Sequence, residues 1–390
     1  MSETVTTEAR RDATLQRLDR LEEFLASDPR NGALRADAFH AALQCGAWDR
    51  AERHLLEGRA ARPDDAAWAL REGDLLLAQR RYPEARTVLE ALGAMATRPP
   101  GLDAVLAYNL AHIDFSEGNY RACLDRLRPI VCPPAGDPLT QQLWLRALHR
   151  AGELEEACRW ASDAEATQRM QPAAAGVAAL ASIDHGQFES AKRWVGLARA
   201  GGEAPTMELL VSESSLALAE GQARAAAQFA EQALQVNPQD GRAWSARAFA
   251  ALLAGELERA GMQFDRAVSL MPQHIGTWHG RAWAAVLRQD LATAQASFET
   301  ALALNRNFAE THGGLAVVLA MQGEQGPARR HVELAQRLDG SSLSSRYAEA
   351  VLSGDAADAR TLQRLAQRLL GARKAPLGGT MADWLPPTDG

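Results

Sequence analysis

Lysine is almost missing from this chain of 390 residues: only Lys192 and Lys374 occur, and arginine supplies the rest of its 42 basic side chains. That usage, together with the heavy use of alanine, fits the base composition of a GC-rich bacterial genome and says nothing about chemistry. Cysteine is scarce too. Cys45, Cys123, Cys132 and Cys158 form no Cys-x2-Cys pair, which argues against a zinc site or a disulfide framework and for small buried thiols in a reducing, cytoplasmic compartment. Long apolar runs are lacking: the conspicuous uncharged stretch 170–183 is too short to span a bilayer as a helix. Residues 1–20 carry charges throughout, so no secretory signal is expected. The net charge of −7 leaves no basic surplus for neutralising phosphates, and no nucleic-acid partner is expected. Glycine-rich phosphate loops, His-Glu-x2-His and Gly-x-Ser-x-Gly are also absent. Neither an enzyme, a cofactor nor a metal is therefore expected.

What the chain does have is a period. Alanines at 51, 85, 122, 157, 191, 226, 260, 294 and 328 follow one another at steps of 34, 37, 35, 34, 35, 34, 34 and 34 residues. A repeat of that length marks stacked supersecondary units, each too small to bury its own apolar face. Two copies are clearest: Trp244-x2-Arg247-Ala248-x2-Ala251 with Ala260-x3-Phe264-x2-Ala267 and Pro272, and Trp278-x2-Arg281-Ala282-x2-Ala285 with Ala294-x3-Phe298-x2-Ala301. Glycines such as Gly46, Gly118, Gly152, Gly186, Gly221, Gly255 and Gly323 fall at the turn between paired helices, where a left-handed residue closes the first helix. Pro29, Pro63, Pro238 and Pro272 stop the second helices. The Trp and Pro positions weaken in the first five copies. The loops at 97–101 and 131–138 depart most from the pattern and are expected to be hinges.

This pattern of Trp, Ala, Phe, Ala and Pro resembles the tetratricopeptide repeat (TPR) family. The resemblance implies an all-α, right-handed superhelical solenoid of about nine helix-turn-helix repeats with helical caps. The boundaries are then a capping helix at 1–30, the array at 31–340, capping helices at 341–374 and a flexible tail at 375–390. The histidines are spread over the repeats and share no helix face in the way ligands would. Acidic pairs such as Glu155-Glu156 read as solvated helix starts.

The resemblance also implies a binding role, in which positions 2, 5, 9 and 12 of each first helix line a concave groove. With Trp244 at position 4, the candidate groove residues are Arg242, Phe249 and Leu252, then His279, Trp283 and Val286, with Val317 and Arg146 in other repeats. Ser245, Glu310, Gly313, Leu139, Gln142 and His149 share those rows. The lining is largely apolar, with Phe249 and Trp283 either as ligand anchors or as core buried between helices. The family's lysine–asparagine clamp for a carboxylate has no counterpart, because Lys192 falls in a second helix, Lys374 beyond the array, and Asn109 at position 7. The expected partner is another protein, held through an apolar or amphipathic segment. A scaffold, adaptor, or secretion or assembly chaperone follows. The alternatives are a regulatory sensor and an accessory subunit of a partner enzyme complex. Trp384, in the segment Asp383-Trp384-Leu385, is a candidate for docking the tail on the array.

Overall fold

The computed structural model describes residues 2–95, 99–202 and 204–354, with side chains from Arg11 onward. A leading helix, α1 (Ser2–Ser27), is followed by nine helix pairs. The first four are α2 (Gly32–Cys45) with α3 (Trp48–Ala61), α4 (Ala66–Ala78) with α5 (Tyr82–Gly93), α6 (Leu102–Ser116) with α7 (Tyr120–Val131), and α8 (Pro138–Ala151) with α9 (Leu154–Ala166). Next come α10 (Pro172–Asp184) with α11 (Phe188–Ala200), α12 (Met207–Ala219) with α13 (Ala223–Val236), and α14 (Gly241–Leu253) with α15 (Leu257–Leu270). The last pairs are α16 (Ile275–Leu287) with α17 (Leu291–Leu304), and α18 (Ala309–Met321) with α19 (Gln325–Leu338). A single helix, α20 (Leu343–Ser353), closes the series, and no strand occurs among the described residues. The chain divides into two compact units, Met1–Gly152 and Glu153–Gly390. That division falls in the turn between α8 and α9 rather than at either proline-rich loop.

The period survives with one rung moved. Ala51, Ala85, Ala157, Ala191, Ala226, Ala260, Ala294 and Ala328 are fully buried, but the third rung is Cys123, also fully buried, while Ala122 is exposed. The backbone fixes this register independently. Five residues before each rung the chain takes the left-handed conformation: Gly118 at φ 80 precedes Cys123, as Gly255 at φ 77 precedes Ala260. In the two repeats without a turn glycine, Arg80 and Gln289 adopt it instead, at φ 59 and 61. The steps around the third rung therefore become 38 and 34. Of the four extra residues, two lie ahead of α6 and two lengthen its start, α6 having 15 residues where α4 has 13; the loop at 131–138 adds none to the period, because α7 has 12 residues where α3 and α15 have 14. Asn109 correspondingly moves from position 7 to position 6, where it is buried and donates to Asp74 Oδ1 at 3.1 Å.

The weakened Trp position also has a physical reading that residue identity concealed. Trp244 and Trp278 donate their indole N–H to the carbonyls of Pro238 and Pro272, six residues earlier, at 2.9 and 2.8 Å. In three other repeats the residue at that position bonds the carbonyl six residues back in the same way, whereas Ala69, Ala107, Ala175 and Leu210 have no side-chain donor to offer. Arg35 reaches Pro29 at 2.6 Å, Gln141 reaches Ala135 at 3.3 Å, and His312 Nε2 reaches Arg306 at 2.9 Å. A donor that ties the linker to the first helix is what recurs; tryptophan is one way to supply it.

Cores form between neighbouring repeats. Phe264 and Phe298 are fully buried, and a Cβ on Gly280 or Gly314 of the following repeat would come within 2.4 Å of their rings. Burying each ring contributes about 1.5–3 kcal/mol. At the N-terminus, Leu18 and Leu25 of α1 pack with Ala38, Phe39 and Ala42 of α2, covering the first repeat. At the other end α20 packs along α18 more extensively than along α19. The remainder of the expected C-terminal cap, the tail and Trp384 lie outside the described residues.

Candidate functional site

The spacing between successive first helices is set where position 5 of one repeat meets position 3 of the next. Glycine permits close approach. A Cβ on Gly176 would lie 3.2 Å from Leu209 Cβ, and one on Gly313 would lie 2.6 Å from the backbone nitrogen of Ser345, so α10 seats on α12 and α18 on α20. Polar and larger residues hold the helices apart. Ser245 Oγ meets Thr277 Oγ1 at 3.1 Å, and His279 Nε2 meets Thr311 Oγ1 at 2.7 Å. Along this stretch α16 touches α14 and α18 only sparsely. The first helices open there, and a cleft of about 420 Å³ forms, lined by Ile275, Gly276, His279, Trp283, Asn305, Phe308, Glu310 and Ser344.

Three rings shape this cleft. The His279 ring lies 5.3 Å from that of Phe308 and 5.4 Å, edge-on, from that of Phe298 beneath it. Trp283, one turn further along α16, packs edge-on against Phe298 at 5.7 Å and beside Tyr347 at 6.2 Å. Phe308, at the N-cap of α18, is 40 % exposed, so its ring is available to a ligand. Burial pushes the His279 imidazole down to about 4, against a weak upward pull from Glu310, and it is neutral at physiological pH. The Glu310 carboxylate accepts the backbone N–H groups of Leu343 and Ser344 at 2.9 and 3.1 Å and the Ser344 hydroxyl, capping α20.

The sequence-derived groove residues separate under this geometry. His279 and Trp283 come together in the cleft. Phe249 and Leu252 are partly buried: the Phe249 ring meets Phe264 edge-on at 5.0 Å and fills space beside Gly280. Val286 and Val317, 3 % and 0 % exposed, are core residues and offer no surface to a ligand. α20 adds Tyr347, Ala348 and Leu352 to the cluster around Val317. Arg242 is ion-paired with Asp184 at 2.8 Å. Arg146 belongs to the N-terminal unit, where it acts electrostatically on Tyr108. Phe308, Ile275 and Asn305 escaped the sequence reading because two of them sit in the linker or at a helix cap, outside the helical positions considered. The one available signal was the size of His279 at position 5.

A second cleft, of about 520 Å³, lies in the N-terminal unit between α6 and α8, which also touch sparsely. Tyr108 occupies position 5 there, Leu139 and Val105 are exposed, and Asp137 caps α8 through the backbone N–H groups of Leu139 and Thr140. The two units differ along position 9. The N-terminal unit presents His40, Asp74, His112 and Arg146, whereas the C-terminal unit presents Ser215, Phe249 and Trp283, with Leu180 and Val317 of the same row buried. Burial raises Asp74 and lowers His112 from their ordinary values. No group of three or more histidine, cysteine or acidic residues poised for a metal occurs among the described residues. None of their helices is long and apolar enough to cross a membrane.

The tetratricopeptide repeat family model matches residues 12–73 and 217–280. Among solved structures, a chain of the APC/C hetero-tetramer Cut9–Hcn1 aligns with a TM-score of 0.55 at 13 % identity, over 84 % of this chain and 63 % of that one. This chain thus spans less than two thirds of that neighbour. A tetratricopeptide repeat protein from Parabacteroides merdae ATCC 43184 aligns at 0.41 with 18 % identity, over 65 % of this chain and 98 % of that one. Yeast Tom70 aligns at 0.38 with 13 % identity, over 92 % and 84 %. No curated protein matches the chain. The repeats, their register and the family-model match define a helical repeat solenoid. Over residues 12–73 and 217–280 the chain is similar to the tetratricopeptide repeat family.

Proposed function

We propose that this protein is a non-catalytic scaffold that holds a segment of another protein on the concave face of its C-terminal unit, centred on the cleft between α16 and α18. The observation carrying this reading is the opening of the first helices around His279, which leaves Phe308 and part of Trp283 uncovered. The position 9 row of that unit supports an apolar or amphipathic segment. The buried thiols Cys45, Cys123 and Cys158 support a reducing, cytoplasmic setting. A chaperone and a subunit of an enzyme complex would use such a cleft alike, and differ in whose segment it holds.

The test compares partners recovered from the native host by the unmodified chain and by Phe308→Ser and Trp283→Leu variants. Loss of a recovered partner with an unchanged melting temperature supports the reading. Recovery of every partner by both folded variants would move the binding surface off this cleft. Phe249 is a poorer probe, because its truncation removes a contact with Phe264.

A further inference from the structure

The cleft between α16 and α18 is aromatic, yet it is not chemically neutral. Glu310 is the one acidic side chain among the eight residues of its wall, and none of the eight is lysine or arginine. The carboxylate is fixed in place by α20: Oε1 accepts from Leu343 N–H, and Oε2 accepts from both Ser344 N–H and the Ser344 hydroxyl. A carboxylate oxygen has two acceptor sites, so Oε1 retains one. His279, which would repel a cation if protonated, is neutral, and its ring lies against Phe308. Arg242, the basic residue on the concave side of α14, is tied to Asp184.

Rings that present electron-rich faces beside an anchored carboxylate attract a cation. A purely apolar occupant would cover the rings but strip water from Glu310 without replacing it, which is costly. We infer that the cleft takes an arginine or lysine side chain, carried within the apolar segment proposed above, between Trp283, Phe308 and Glu310. The inference rests on that groove-binding reading and adds one charge to its ligand. The net charge of −7 favours the approach of such a segment at low ionic strength.

The test selects binders from a displayed library of random 12-residue peptides against the full chain. Each selected peptide is then titrated with its basic residue intact and with citrulline in place of arginine, or norleucine in place of lysine. A recurring basic position is expected, with affinity falling about tenfold on neutralisation. In Phe308→Leu and Trp283→Leu the same replacement should cost much less, and in folded Glu310→Gln the intact and neutralised peptides should bind with nearly equal affinity. Apolar peptides selected with no basic position, or a neutralisation cost unchanged in both aromatic variants, would overturn the inference and leave groove binding intact. Selected peptides that bind equally well to Phe308→Leu and Trp283→Leu whatever their charge would overturn both.

Discussion

Cys123 shows how narrowly a single position is specified in this array. It stands where eight other repeats have alanine, its thiol is pushed up to about 12 chiefly by burial, and it is therefore inert packing rather than a nucleophile. Cys123→Leu should overpack the crossing of its helix pair and cost about 1–3 kcal/mol in urea unfolding, whereas Ala122→Leu should cost under about 0.5 kcal/mol. Equal effects would restore the rung to Ala122. His279 makes a second prediction at this scale. Its folded value lies below the ordinary value of 6.5, so below that pH the unfolded chain binds a proton that the folded chain refuses. The stability contribution is complete above about pH 6.5 and is lost as pH falls towards 4, by up to about 3 kcal/mol. His279→Asn should flatten the decline of the urea midpoint between pH 7 and 4.5; an undiminished slope would assign the effect to other histidines. His54, His112, His274 and His331, also lowered by burial, contribute to the slope that remains. At His312 the geometry even sets the tautomer. Nε2 bonds a carbonyl and must carry hydrogen, so in the neutral pair its Nδ1 accepts from His331 Nδ1 at 3.0 Å.

Helix pairs show which sequence signals are physical requirements and which are habits. The left-handed turn residue is a requirement, since every pair adopts it, but glycine is only its cheapest occupant. Arg80→Gly and Gln289→Gly should each stabilise the protein by about 1 kcal/mol by removing the strain of a side chain at positive φ. A fall in the urea midpoint for both would show that their side chains contribute more than the strain costs. Tryptophan at position 4 is a habit, because Arg35, Gln141 and His312 make the same bond to the linker. The glycines facing Phe264 and Phe298 are requirements of space. Gly314→Val would force a side chain into Phe298 and should destabilise by about 1–3 kcal/mol or more, read as a lowered melting temperature.

For the molecule as a whole, stability is local because each repeat touches only its neighbours. The damage from Gly314→Val should therefore show in amide hydrogen exchange as lost protection in α16 to α20, with α2 to α7 unchanged. Loss of protection in α2 to α7 would mean that the stack is cooperative over its full length. The two units also carry different chemistry on position 9, titratable in one and apolar in the other, so a ligand for one is a poor ligand for the other. Binding through Phe308 and Trp283 accordingly should not be altered by Asp74→Asn, a comparison made with the same selected peptides.

The period, the paired helices and the similarity to tetratricopeptide repeats were legible in the sequence. Each follows from local rules: helical spacing, turn chemistry and the recurrence of a small residue at a crossing. Tertiary structure decided which rung stood at Cys123 rather than its neighbour, since burial and the left-handed residue five positions earlier distinguish adjacent small residues. It placed Val286 and Val317 in the core and tied Arg242 to Asp184, because the distance between successive first helices depends on pairs such as Gly313 with Ser345 and His279 with Thr311, thirty-two residues apart. It also brought Phe308 from a linker to the edge of the cleft. A one-dimensional pattern specifies what each helix presents, whereas the gap between two helices is set by side chains in different repeats, and in that gap the candidate site lies.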